Sequence, residues 1–359
     1  MLLTNIAAPA PRSFDKLQPE PTKSRKAPAG CQAQQINAIN AEVSQAFSGP
    51  FCTFKRKRMP TTTKIENFFG LQAEYAQNDK SRAVLIAAPY ENTVKGSKDA
   101  PKAVMDASQK MELFDDELWV EPYKIGVHTA SPIKMAAVDE NTETPFSELT
   151  AAVKPVVEMD KFPVVIGGER PITLGTLNAC QDKYPDLSIL MLGAHADLYT
   201  EAEGNPFDRS ATGFTLYTNL KQPVIAQVGV RSVSWQEVAW MEDEQPNINI
   251  FWARTQAKWD LTEIINSLSD NVLLSIDMSV LDPSIMPATN SPEPGGIGWY
   301  QLLNLLKVLC VKKNVVAADI TGLTPIKGIG APNYLTAKLI YKLIGYRFAM
   351  DLGVSKKYL

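Results

Sequence analysis

From Val84 onward, short apolar runs alternate with segments of helical periodicity. Val84-Leu85-Ile86-Ala87-Ala88 reads as a buried strand, and later runs fall at Phe162–Ile166, Leu187–Leu192, Val224–Val230, Ile248–Trp252, Val272–Ile276 and Val315–Ile320. Each run is continuously apolar rather than alternating, the pattern of strands covered on both faces. A helix is predicted after the first strand, with Asp99 as N-cap and Pro101 in its first turn. Its apolar face is Val104, Ala107, Met111 and Leu113. Trp299–Val311 and Tyr334–Leu343 read as further helices. Apolar strands separated by amphipathic helices predict an α/β protein, a three-layer α/β/α sandwich around a central, mostly parallel sheet.

Residues 1–58 break from this pattern. They carry scattered prolines, Gln and Ala runs, and the closing cluster Lys55-Arg56-Lys57-Arg58. The segment is read as a disordered or targeting-like extension. It lacks the apolar core of a secretory signal. Met59 reads as an ordinary protein start, and with no internal repeat or second composition break, 59–359 is taken as one domain.

Composition narrows the function classes. With 45% hydrophobic and 21% charged residues the chain reads as globular, and a formal charge of −3 gives no reason to expect nucleic acid. No apolar run approaches the eighteen residues of a membrane span. Four dispersed cysteines without a CxxC pair favour a reducing compartment, so the cytoplasm is expected; an organelle is the alternative if 1–58 is a transit peptide.

In an open parallel sheet, sites form at the carboxyl ends of strands. Three strand ends carry polar clusters: Gly167–Arg170, Gly193–Asp197, and Ser275–Pro283. Only His128 and His195 exist, so a metal site must use one of them or carboxylates. His195 and Asp197 alternate around Ala196, and Asp277 could converge on them, a minimal metal constellation. The alternative is structural: an Asp at a strand end caps the next turn, and a buried His is a hydrogen-bonded core residue.

The chain from about Met59 resembles the arginase–agmatinase (ureohydrolase) family, closest to the bacterial agmatinase branch. The resemblance runs through Pro89–Thr93, Met111–Asp115, Pro163–Glu169, Gln227–Ser232, Leu281–Pro287, Ser291–Gly296 and Ala331–Leu339. It implies the arginase-like fold and a site with two Mn²⁺ ions held by two His and four Asp. Matched position by position, half of that set is changed. Arg170 stands for the first His, Gly193 for a bridging Asp, and Ser279 for another Asp; His195, Asp197 and Asp277 survive. Arg209 stands where the family has a proton-transferring His, and Gly322 where it has a substrate-holding Glu.

Two dications about 3.5–4 Å apart repel by roughly 15–20 kcal/mol at an effective dielectric near 20. Two remaining aspartates do not offset that, so no metal cofactor is expected, with one weakly bound divalent ion as the alternative. Arg170, with Arg209 as a second candidate, is expected to neutralise Asp197 and Asp277; otherwise Arg170 turns to solvent. The first functional expectation is therefore a protein that has lost ureohydrolase activity and works by association with a partner enzyme. A small-molecule binder, with an anionic ligand in the emptied pocket, is the second. A hydrolase acting on a guanidino or other C–N substrate through an altered or single-metal site is the third. The family resemblance implies a trimer or hexamer, alone or with an active ureohydrolase.

Overall fold

The computed structural model describes residues 67–359 apart from Glu140 and Glu203. The extension over 1–58 and the start at Met59 lie outside the described residues. Eight strands form one sheet: β1 (Ala83–Ala88), β2 (Val127–Thr129), β3 (Phe162–Gly167), β4 (Ser188–Leu192), β5 (Ile225–Val230), β6 (Ile248–Trp252), β7 (Asn271–Asp277) and β8 (Asn314–Thr321). Their order across the sheet is β2-β1-β3-β8-β7-β4-β5-β6, and every pairing is parallel.

The helices that connect and cover the sheet are α1 (Ala100–Ser108), α2 (Ser147–Glu158), α3 (Thr173–Cys180), α4 (Thr212–Asn219), α5 (Trp235–Glu244), α6 (Leu261–Asn266), α7 (Trp299–Lys312) and α8 (Ala331–Arg347). They seal two large apolar clusters. One joins alternate residues of β3, β7 and β8 to α7 and α8; the other joins the opposite strand faces to α2 and α3. All seven predicted strands are present to within a residue or two at each end. The three-residue edge strand β2 escaped the sequence reading because so short a run has no periodicity to detect.

Two local expectations are corrected. The first helix ends at Ser108, so Met111 and Leu113 lie beyond it. Asp99 occupies the cap position, yet its side chain makes no capping bond, because Ser97–Asp99 is already wound as a 3₁₀ turn. Among the described residues no helix is long and apolar enough to cross a membrane.

Candidate functional site

A cleft opens over the carboxyl ends of β3, β8, β7 and β4, four strands adjacent at the centre of the sheet. Arg170, His195, Asp197, Arg209, Asp277, Ser279 and Gly322 all line it. Gly193 lies directly beneath the Arg170 guanidinium: a Cβ at that glycine would sit 2.7 and 2.8 Å from the two terminal nitrogens. The eight residues singled out from the sequence thus belong to one place. His128 does not: it is on the edge strand β2, its Nδ1 bonded to the Ala76 carbonyl at 2.9 Å.

Arg170 is almost wholly buried, 3% exposed. One terminal nitrogen donates to Asp197 Oδ2 at 2.7 Å and the other to the Leu192 carbonyl at 2.8 Å. Its backbone is fixed by a 3₁₀ turn with Pro171, and its carbonyl lies 2.9 Å from Thr173 Oγ1. Burial pushes the Asp197 carboxyl up, and the guanidinium beside it pulls it back. The pairing of Arg170 with Asp197 agrees with the sequence expectation, and the solvent-facing alternative does not.

Asp277 departs from it. Among the described residues it has no ion pair; Oδ1 accepts from the Ser279 backbone N–H at 2.7 Å, capping the turn Met278–Val280. The structural reading of a strand-end Asp is thus realised at this position. Gly322 has φ +78°, and a Cβ there would lie 2.4 Å from Asp277 Oδ1. A side chain at 322 would meet both a strained backbone and the carboxylate. Arg209 donates to Ser291 Oγ at 3.4 Å and, among the described residues, has no carboxylate partner.

The loop carrying His195 and Asp197 is held by groups the sequence reading did not assign. Asp197 adopts φ +52°, and its carbonyl accepts from Gly213 N at 2.7 Å at the start of α4. Gln227 Nε2 donates to the Ala196 carbonyl and Glu237 accepts from Leu198 N, each at 2.8 Å. Glu237 belongs to the pair Ser234 and Glu237 that caps α5, a sequence signature that could have flagged it. Glu169 accepts the backbone N–H groups of Asn92 and Val94 and the Thr93 hydroxyl, fixing the Asn92–Val94 segment beside the cleft. Arg231 donates to the carbonyls of Ser279, Leu281 and Glu293 and so ties the Ser291–Gly296 turn to the end of β7.

These residues do not fit a pair of divalent ions. Gly193 supplies no ligand and Ser279 uses its hydroxyl to accept from Ala194 N at 3.2 Å. Among the described residues no group of three or more His, Cys, Asp or Glu is placed to hold a metal. A dication about 4 Å from the guanidinium would meet roughly 8 kcal/mol of repulsion at an effective dielectric near 20.

Behind the site, Asp319 of β8 is fully buried and accepts from Thr173 Oγ1 at 3.0 Å and Ser275 Oγ at 2.9 Å. Burial raises its carboxyl to about 7 against the pull of those hydroxyls and of Arg170. Raised in the folded state, it retains a proton that the unfolded chain releases near pH 4. Its contribution to stability is therefore full below about pH 4 and is lost as pH rises toward 7. Asp319→Asn should remove that slope, seen as a difference of about one bound proton between the two stability–pH curves. Parallel curves for the two proteins would show that Asp319 is ionised throughout.

Comparison with known proteins places the chain. The arginase family model matches residues 81–345. The N(1)-aminopropylagmatine ureohydrolase of Synechocystis is 33% identical over 277 residues, covering 73% of this chain and 88% of that protein. The agmatinase of Bacillus subtilis is 26% identical, over 78% of this chain and 96% of its own. Among solved structures, the agmatine ureohydrolase of Thermoplasma volcanium superposes with a TM-score of 0.71 at 23% identity, over 80% of this chain and 96% of that one. The chain belongs to the arginase family, and its all-parallel α/β/α sheet is the arginase-like fold.

The comparisons correct the leading functional expectation. Relatives matched over most of their length are named as ureohydrolases and agmatinases, and nothing in them points to a partner-regulating protein without activity. That expectation rested on matching single positions to a ligand set. The similarity instead runs through most of the length of each of these named relatives.

Proposed function

We propose that this chain is a hydrolase of guanidino compounds or related C–N substrates, working through an altered site in the cleft above β3, β8, β7 and β4. The observation that carries the reading is the cleft itself. His195, Asp197 and Asp277 still converge there, in a chain 33% identical to a named ureohydrolase over 88% of that relative's length.

Hydrolysis requires a base for water, an anion for the amidinium and a shielded pocket. His195 is the one imidazole lining the cleft, and it takes the proton as water oxygen bonds to the amidine carbon. Asp277, without an ion-pair partner among the described residues, faces the positive amidinium. His195 returns that proton to the leaving nitrogen, the C–N bond breaks, and the proton left on the added oxygen passes to the released amine, giving urea and an ammonium ion. Arg209, lacking a carboxylate partner among the described residues, favours substrates with an acidic group at the other end.

The purified chain should release urea and amine from at least one of agmatine, N(1)-aminopropylagmatine, arginine and 4-guanidinobutyrate, with the acid-bearing compounds preferred. His195→Ala should lower the rate by at least about 100-fold, within the usual range for a general base. Absence of urea from all four, or an unchanged rate in His195→Ala, would refute this assignment.

A further inference from the structure

Four strand ends meet beneath the cleft, and the space above one of them, at Gly193, holds no side chain of its own. The Arg170 guanidinium fills it from the turn after β3, a strand separated from β4 by β8 and β7, and lies within 2.7 Å of where a Gly193 Cβ would be. Ordinarily the far end of an arginine could swing aside at small cost. Here it is 3% exposed, held by Asp197 at 2.7 Å and by the Leu192 carbonyl at 2.8 Å, with its backbone locked in a turn that contains Pro171. Its Nε is buried and has no hydrogen-bond partner among the described residues, so the group is positioned by its two terminal nitrogens alone.

We propose that Arg170 is the resident cation of this site, a permanently charged side chain built into the position where a divalent ion would otherwise join the strand ends. A guanidinium stays protonated at all physiological pH, and its planar fork bonds a carboxylate and a carbonyl at once, as a metal ion would. Unlike a metal it cannot be stripped by a chelator, has no exchangeable ligand, and repels any second cation. The glycine at 193 is the complement of this arrangement: any larger residue would compete with the guanidinium for the same space. The inference concerns the altered site on which the hydrolase reading rests, and it is tested through metal binding and stability, so urea release bears on that reading alone.

The experiment uses the full chain. Its melting temperature is expected to be the same in EDTA and in added Mn²⁺, with far less than one manganese per chain by elemental analysis. Gly193→Ala should lower the melting temperature in the native background and be tolerated in the Arg170→His background, where the space is free. The combined variant Arg170→His, Gly193→Asp, Ser279→Asp should melt at temperatures that climb steadily with the logarithm of Mn²⁺ concentration, the signature of a ligand bound by the folded state. Near-stoichiometric manganese in the native chain, or a fall in its melting temperature in EDTA, overturns the proposal. So does a Gly193→Ala penalty that is the same in both backgrounds, or a folded triple variant that ignores Mn²⁺. If the triple variant does not fold, the Gly193→Ala pair decides.

Discussion

Replacing Lys342 by methionine is expected to lower stability by about 3–5 kcal/mol, the usual cost of stranding a buried charge. Lys342 lies on α8 and is 5% exposed. Its ammonium pairs with Asp115, itself 0% exposed, at 2.9 Å, and with Glu117 at 3.2 Å. Asp115 also accepts the backbone N–H groups of Glu117 and Leu118, so it fixes the segment after α1 against the last helix. Glu117 keeps Lys307 and the Tyr346 hydroxyl as partners, and Asp115 has no comparable substitute. Methionine preserves the length and packing of the lysine stem, so the loss reports the charge. The melt should drop by roughly 5–15 °C. Converting Asp115 to leucine in the same chain should recover much of the loss, because apolar replacement of a whole buried pair is often near neutral. A Lys342→Met protein within about 1 kcal/mol of the native one would mean that water reaches and screens Asp115.

Arg170→Ala is expected to cost roughly 3 kcal/mol, the lower end of the same range, because it leaves the Asp197 carboxylate, 13% exposed, without its counter-charge. The two losses should differ in their dependence on pH. Burial, with a smaller push from the Asp277 charge, raises the Asp197 carboxyl, and the guanidinium is the chief force pulling it down. Without Arg170 the carboxyl rises further and takes up a proton sooner as the solution is acidified. An acid raised in the folded state gives stability that is present at low pH and lost as pH increases. The deficit of Arg170→Ala against the native chain should therefore shrink toward pH 4 and widen toward pH 8. Denaturant melts of both proteins across that range are the measurement. A deficit that is independent of pH would assign the loss to the space left behind and not to the charge.

The segment around Asp115 shows how far sequence can reach. Met111–Asp115 was legible as a family-like stretch, yet its role was not, because its partner lies 227 residues away on α8. The same holds for the site. His195, Asp197, Asp277, Arg170 and Gly193 could be picked out one strand end at a time, since each follows an apolar run that marks its own end. The resemblance assigned each position a family counterpart. The functional expectation went astray by weighing five changed positions, Arg170, Gly193, Ser279, Arg209 and Gly322, above similarity that spans most of the relatives' length.

The sequence by itself determined the α/β class, seven of the eight strands and a mostly parallel arrangement, because strand burial and helix amphipathicity are periodicities written in neighbouring residues. The family came from the resemblance of its motifs. Tertiary structure decided the rest. Strand order placed β3, β8, β7 and β4 side by side, so that residues more than a hundred positions apart face one cleft. It also decided that Arg170 turns inward to Asp197 while Asp277 is satisfied by the backbone of its own turn. Such choices depend on which buried charges find partners at hydrogen-bonding distance, and no local pattern encodes that distance.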